Sequence, residues 1–109
     1  MSKKSIGDVL ERLFTTIESR READPKSSYT AQLLHSGIER CAKKFGEEAV
    51  EAALAGVGND KSALTAEAAD VLYHLLVLLA ARDVTLEEVA SALQAREGIS
   101  GIDEKASRS

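Results

Sequence analysis

The sequence predicts an all-α domain, and three observations carry that expectation. Apolar residues recur at the three- and four-residue spacing of amphipathic helices. Capping signals of the Ser/Thr-x-x-Glu type precede two of the apolar runs. Strand signals are nearly absent, with no run of alternating β-branched residues and only two Tyr and two Phe in the chain. A chain of 109 residues fits one domain, able to bury roughly two-thirds of its extended-chain surface. We place that domain at residues 1–97 and a polar, loose tail at 98–109.

Ile6, Val9, Leu10, Leu13, Phe14 and Ile17 mark a first amphipathic helix reaching about Arg21. The linker Ala23-Asp24-Pro25-Lys26-Ser27 ends it, because proline cannot continue a helix and pushes the preceding residue toward extended geometry. A short helix follows over residues 28–35. Ser36-Gly37-Ile38-Glu39 has capping-box spacing, so a third helix is expected to start near Gly37. Its apolar face is Ile38, Cys41, Ala42, Phe45, Ala49, Ala52 and Ala53, with Lys44, Glu48 and Glu51 along one edge. Gly56-Val57-Gly58-Asn59-Asp60 breaks it, and a fourth helix begins at Lys61 or Ser62. There Leu64, Ala68, Val71, Leu75 and Leu78 define one face, with Glu67, Asp70 and His74 on its edge. Thr85-Leu86-Glu87-Glu88 is a second capping box, flanked by Val84 and Val89 at hydrophobic-staple spacing, and it opens a fifth helix ending before Gly98.

Tyr73, Leu76 and Val77 lie off the main apolar face of the fourth helix. A helix apolar nearly all round is buried all round, so a homodimer is expected to complete the bundle and to cover these residues. The apolar run 71–81 is short of the roughly 20 residues that span a bilayer and reads as a buried helix, which argues against a membrane protein. The lone Cys41 has no internal partner, and no leader pattern precedes Ile6; together they suggest a reducing, cytoplasmic setting. A formal charge of −4 argues against a nucleic-acid binder.

The chemistry concentrates in Glu47-Glu48-Ala49-Val50-Glu51 and Glu67-Ala68-Ala69-Asp70. Positions three apart share a helix face, so Glu48 with Glu51 and Glu67 with Asp70 make two pairs of carboxylates. Two such helices side by side would converge four carboxylates, a hard-oxygen site suited to Mg²⁺ or Mn²⁺. The bland alternative is a solvated face, with Lys44–Glu48 and Lys43–Glu47 as surface pairs worth about 0.2–0.5 kcal/mol each. Glu67 and Asp70 resist it, because they border an apolar stretch and have no basic neighbour on their own helix. A metal, or a basic residue from another helix, must compensate them. A di-iron bundle would need histidine three residues after a glutamate, whereas His74 follows Asp70 by four. His74 is read as a hydrogen-bonding or substrate-contacting group, or as a satisfied interior histidine. Gly56-Val57-Gly58 lacks the Lys-Ser/Thr of a P-loop, so phosphates would be held by metal and side chains. Lys44, on the Glu48 and Glu51 edge, is the cation placed to do so.

Glu-x-x-Glu followed by Glu-x-x-Asp on consecutive helices resembles the metal motif of the MazG-like, all-α nucleoside triphosphate pyrophosphohydrolases. Ser28-Tyr29-Thr30-Ala31-Gln32-Leu33-Leu34, Lys43-Lys44-Phe45-Gly46-Glu47-Glu48-Ala49-Val50-Glu51 and Glu67-Ala68-Ala69-Asp70-Val71-Leu72-Tyr73-His74-Leu75-Leu76 narrow the resemblance to the phosphoribosyl-ATP pyrophosphohydrolases. It extends over about residues 6–96, with Phe45 where a smaller aliphatic residue is common. The resemblance implies Mg²⁺-dependent hydrolysis of phosphoribosyl-ATP to phosphoribosyl-AMP and pyrophosphate, in the second step of histidine biosynthesis. It implies Glu48, Glu51, Glu67 and Asp70 as metal ligands, Glu47 as the group that orients or deprotonates water, and a stand-alone enzyme without a fused cyclohydrolase. The alternatives are a house-cleaning pyrophosphohydrolase of free nucleotides and a non-catalytic helical dimerisation module.

Overall fold

The computed structural model describes residues 4–98, all of whose regular structure is helical. Helix α1 spans Ile6–Ser19; the Ser5 hydroxyl accepts the Asp8 N–H at 3.1 Å, and Asp8 adds a favourable negative charge at the helix N-terminus. It buries Phe14 and Ile17, then tightens into a 3₁₀ turn at Arg20–Glu22. From that turn the Arg21 guanidinium donates to the Ala80 carbonyl and to Asp83, the latter at 3.1 Å. The Arg21 carbonyl accepts from His35 Nε2 at 2.9 Å. One side chain and its own backbone therefore tie three segments together.

Helix α2, Tyr29–Ser36, starts at Ser28, whose hydroxyl accepts the Ala31 N–H at 3.1 Å. It buries Ala31 and Leu33. The capping box expected at Ser36 does not form. Ser36 is the last residue of α2, and its hydroxyl donates back to the Leu33 carbonyl at 2.7 Å instead. Gly37, with φ of 104°, ends α2 and begins α3 at once; that backbone conformation is one L side chains avoid.

Helix α3, Ile38–Gly56, and helix α4, Lys61–Ala81, form a hairpin with the most extensive packing in the molecule. Asp60 caps α4, its carboxylate accepting the N–H groups of Ser62 and Ala63. The core joins Phe14, Ile17, Leu33, Cys41, Leu76, Val77 and Ala80. Helix α5, Leu86–Gln94, opens with the expected capping box: Thr85 N–H donates to Glu88 at 2.8 Å while Glu88 N–H donates to the Thr85 hydroxyl at 3.1 Å. The tail assigned to residues 98–109 lies outside the described residues apart from Gly98.

One expectation about α4 is corrected. Leu76 and Val77 are buried within this chain, so neither waits for a partner subunit, while Tyr73 is half-buried with its hydroxyl bonded to Thr30. Leu64 and Ala68, expected on the buried face, are exposed. A helix apolar all round carries no periodic signal of which side will be covered. Here α1 and α2 arrive on the side of Leu76, Val77 and Ala80. Helix α4 has the length and composition of a membrane span, but it is the helix around which the core assembles.

Candidate metal centre

Glu48 comes from the middle of α3 and Glu67 and Asp70 from the second and third turns of α4, brought together by hairpin packing. One carboxylate oxygen from each lies within 4.8 Å of the other two. Glu48 and Glu67 are half-buried and Asp70 is exposed, so the cluster is embedded on one side and open to solvent on the other. The fourth expected member, Glu51, is outside that three-oxygen group but adjoins it. Its charge and a side-chain hydrogen bond both act on Glu67.

Glu67 carries the strain of the arrangement. Its Oε1 is inaccessible to solvent and has no hydrogen-bond partner. Burial pushes its carboxyl above the usual carboxylate range, followed by the charges of Glu51, Asp70 and Glu48 and the hydrogen bond with Glu51. Lys44, on the facing edge of α3, does not relieve it. Lys44 Nζ pairs instead with Glu47 at 3.4 Å, not with Glu48 as the four-residue spacing suggested. An all-oxygen donor set with an orphaned buried carboxylate oxygen fits a hard divalent cation.

His74 lies one turn beyond Asp70 and is 6% exposed. Burial is the main reason its pKa is lowered; Lys44 adds to the shift, while Glu48, Asp70 and Glu47 oppose it. Its Nδ1 has no partner. The ring packs edge-on against Tyr73, with centroids 4.9 Å apart, and against Tyr29, at 6.4 Å. A buried ring nitrogen without a partner counts against the satisfied-histidine alternative. The Tyr29 contact was not anticipated. A short helix over residues 28–35 was expected, yet nothing in a period or a spacing showed that α2 would fold against this turn of α4.

The protein-family model described as phosphoribosyl-ATP pyrophosphohydrolase matches residues 10–97. A phosphoribosyl-ATP pyrophosphatase of Cereibacter sphaeroides is 66% identical over 92% of this chain and 97% of its own length. That of Dinoroseobacter shibae is 66% identical over 92% of this chain and 98% of its own. The Paracoccus denitrificans protein of the same name is 62% identical over 91% of this chain and 92% of its own. Both halves of the carboxylate centre and the α2 segment beside it fall inside the matched region, and the chain belongs to the phosphoribosyl-ATP pyrophosphohydrolase family.

Proposed function

We propose that this chain hydrolyses 1-(5-phosphoribosyl)-ATP to 1-(5-phosphoribosyl)-AMP and pyrophosphate, the second step of histidine biosynthesis, with Mg²⁺ held by Glu48, Glu67 and Asp70 and by Glu51 beside them. The observation that carries the reading is the convergence of carboxylate oxygens of Glu48, Glu67 and Asp70 within 4.8 Å of one another, together with a buried Glu67 oxygen that has no partner. The names of the relatives supply the substrate.

When bound, the cation would supply charge neutralisation for the polyphosphate and polarise its phosphoryl oxygens. The chain itself contributes position and electrostatics, which is most of what phosphoryl transfer requires. In the reaction the water oxygen forms a new P–O bond, and the anhydride P–O bond between the α- and β-phosphates breaks. Pyrophosphate leaves with the electron pair. Glu47 is the base we assign to the water proton, and Lys44 the cation we assign to a phosphate oxygen. They now neutralise one another, so a phosphate that draws Lys44 away also frees the Glu47 carboxylate to accept. His74, whose pKa burial lowers, is the group we assign to hydrogen-bond the substrate without adding charge.

The subunit is proposed to act as a cytoplasmic homodimer. Leu54 is 66% and Val57 85% exposed at the end of the hairpin, and Leu64 is exposed beside them, a better candidate surface than the buried Leu76 and Val77. Sedimentation at micromolar concentration tests it, and a stable monomer counts against it. The activity test is pyrophosphate release from phosphoribosyl-ATP and from ordinary nucleoside triphosphates, with and without Mg²⁺. Release from phosphoribosyl-ATP that needs Mg²⁺ supports the reading; equal release from every triphosphate transfers the chain to the house-cleaning alternative.

A further inference from the structure

The residues on either side of Tyr29 are fixed in place. Ser28 caps α2 through the Ala31 N–H, and Thr30 shares a hydrogen bond 2.5 Å long with the Tyr73 hydroxyl on α4. Between these anchors Tyr29 leaves 50% of its surface exposed. The ring is nonetheless oriented, set nearly perpendicular to His74 with an interplanar angle of 86°, while His74 stands at 78° to Tyr73. Tyr29, His74 and Tyr73 thus form a line of rings from α2 to α4. That line ends one helical turn from Asp70, a separation of about 5–6 Å between Cβ atoms.

The carboxylates address phosphates and cannot read a base. A half-exposed aromatic ring, set against the His74 that follows Asp70 by one turn of α4, has the chemistry that reads one. We propose that Tyr29 is a specificity-determining residue, its half-exposed ring being the platform on which the substrate purine stacks while the phosphates lie at Glu48, Glu67 and Asp70. The inference deepens the proposed hydrolase and rests on it. The ring, and not the hydroxyl, is the working part, because base–aromatic stacking needs only a π face.

The test compares Tyr29→Phe and Tyr29→Leu with the wild-type enzyme. In Tyr29→Leu, KM for phosphoribosyl-ATP is expected to rise roughly tenfold with kcat within about twofold, whereas Tyr29→Phe stays close to wild type. Inhibition by AMP, which carries the base, should weaken to a similar degree in Tyr29→Leu. Inhibition by inorganic tripolyphosphate, which lacks it, and Mn²⁺ affinity measured with the metal alone should not change. A wild-type KM in Tyr29→Leu overturns the proposal. So does equal weakening of AMP and tripolyphosphate, or a change of sedimentation, which would make Tyr29 a contact between copies. Should Tyr29→Leu melt early, Tyr29→Met fills the same space without a π face and carries the same comparison. If wild-type protein releases no pyrophosphate from phosphoribosyl-ATP, the reaction is wrong; AMP binding still decides the ring, and equal affinity of wild type and Tyr29→Leu removes it.

Discussion

Lys44 Nζ lies 3.4 Å from a carboxylate oxygen of Glu47, one turn along α3, while the adjacent Glu48 directs its carboxylate toward α4. Consecutive acidic residues are thereby given different work. Because both members of the pair are part-exposed, the pair contributes little to folding, about 0–1 kcal/mol. Lys44→Met is therefore expected to leave the melting temperature near wild type and to raise KM several-fold. Glu47→Gln should lower kcat with KM nearly unchanged. Steady-state kinetics beside a thermal melt checks both, and a Glu47→Gln enzyme with full kcat removes Glu47 from proton transfer.

Glu67 gives the metal-free protein a pH dependence of definite sign. Its folded-state pKa is raised, so between the unfolded value of about 4.3 and that raised value the native state holds the proton more tightly. Stability therefore falls as pH rises through this window and is regained on acidification. Melting curves in chelator, from about pH 4 to 8, should show this fall in the wild type relative to Glu67→Gln. Parallel pH profiles for the two proteins would contradict the assignment.

Glu51→Gln and Asp70→Asn should abolish Mg²⁺-dependent pyrophosphate release while leaving the fold intact or slightly more stable without metal. Each neutralises one of the charges acting on Glu67. Activity and melting temperature are expected to move in opposite directions. A destabilised, inactive pair of variants would instead point to a structural role, and wild-type activity in both would take these carboxylates out of the reaction.

The Thr30–Tyr73 bond predicts a stability effect with a functional echo. Tyr73→Phe removes a hydrogen bond 2.5 Å long and leaves the Thr30 hydroxyl without that partner. A cost of about 1 kcal/mol corresponds to a fall in melting temperature of about 4–8 °C for a domain of this size. Since the bond also holds α2 against α4, KM should rise modestly as well. A melting temperature equal to wild type would show that the hydroxyls exchange this bond for water at no cost.

Much of this was legible in the residues. Thr85 and Glu88 formed the capping box their spacing announced, and Glu48, Glu67 and Asp70 converged because three-residue spacing fixes a helix edge and a short turn fixes the neighbour. The failures have a common cause. Ser36 sits at a junction where two helices compete for one hydroxyl, and the nearer carbonyl of Leu33 took it. Leu76 and Val77 belong to a helix with no polar side, so only the arrival of α1 and α2 decided which face was covered. The same limit hid Tyr29, whose relation to His74 is a matter of tertiary packing and leaves no mark in either segment alone.

Among the described residues, the buried core draws Cys41 from α3, and Leu76, Val77 and Ala80 from α4. Glu48, Glu67 and Asp70 all stand outside that stretch, on the portion of the hairpin that extends beyond the core. Regions with few buried apolar contacts open at lower free energy than the core, so the amides around the carboxylates should exchange with deuterium sooner than those near Val77. A divalent cation bridging the two helices would act there as a clasp, slowing exchange around Glu48 and Glu67 and leaving the core amides as they were. The proposed catalytic end of the molecule would then acquire its rigidity from the ion it binds, and a subunit without that ion would be folded but slack there.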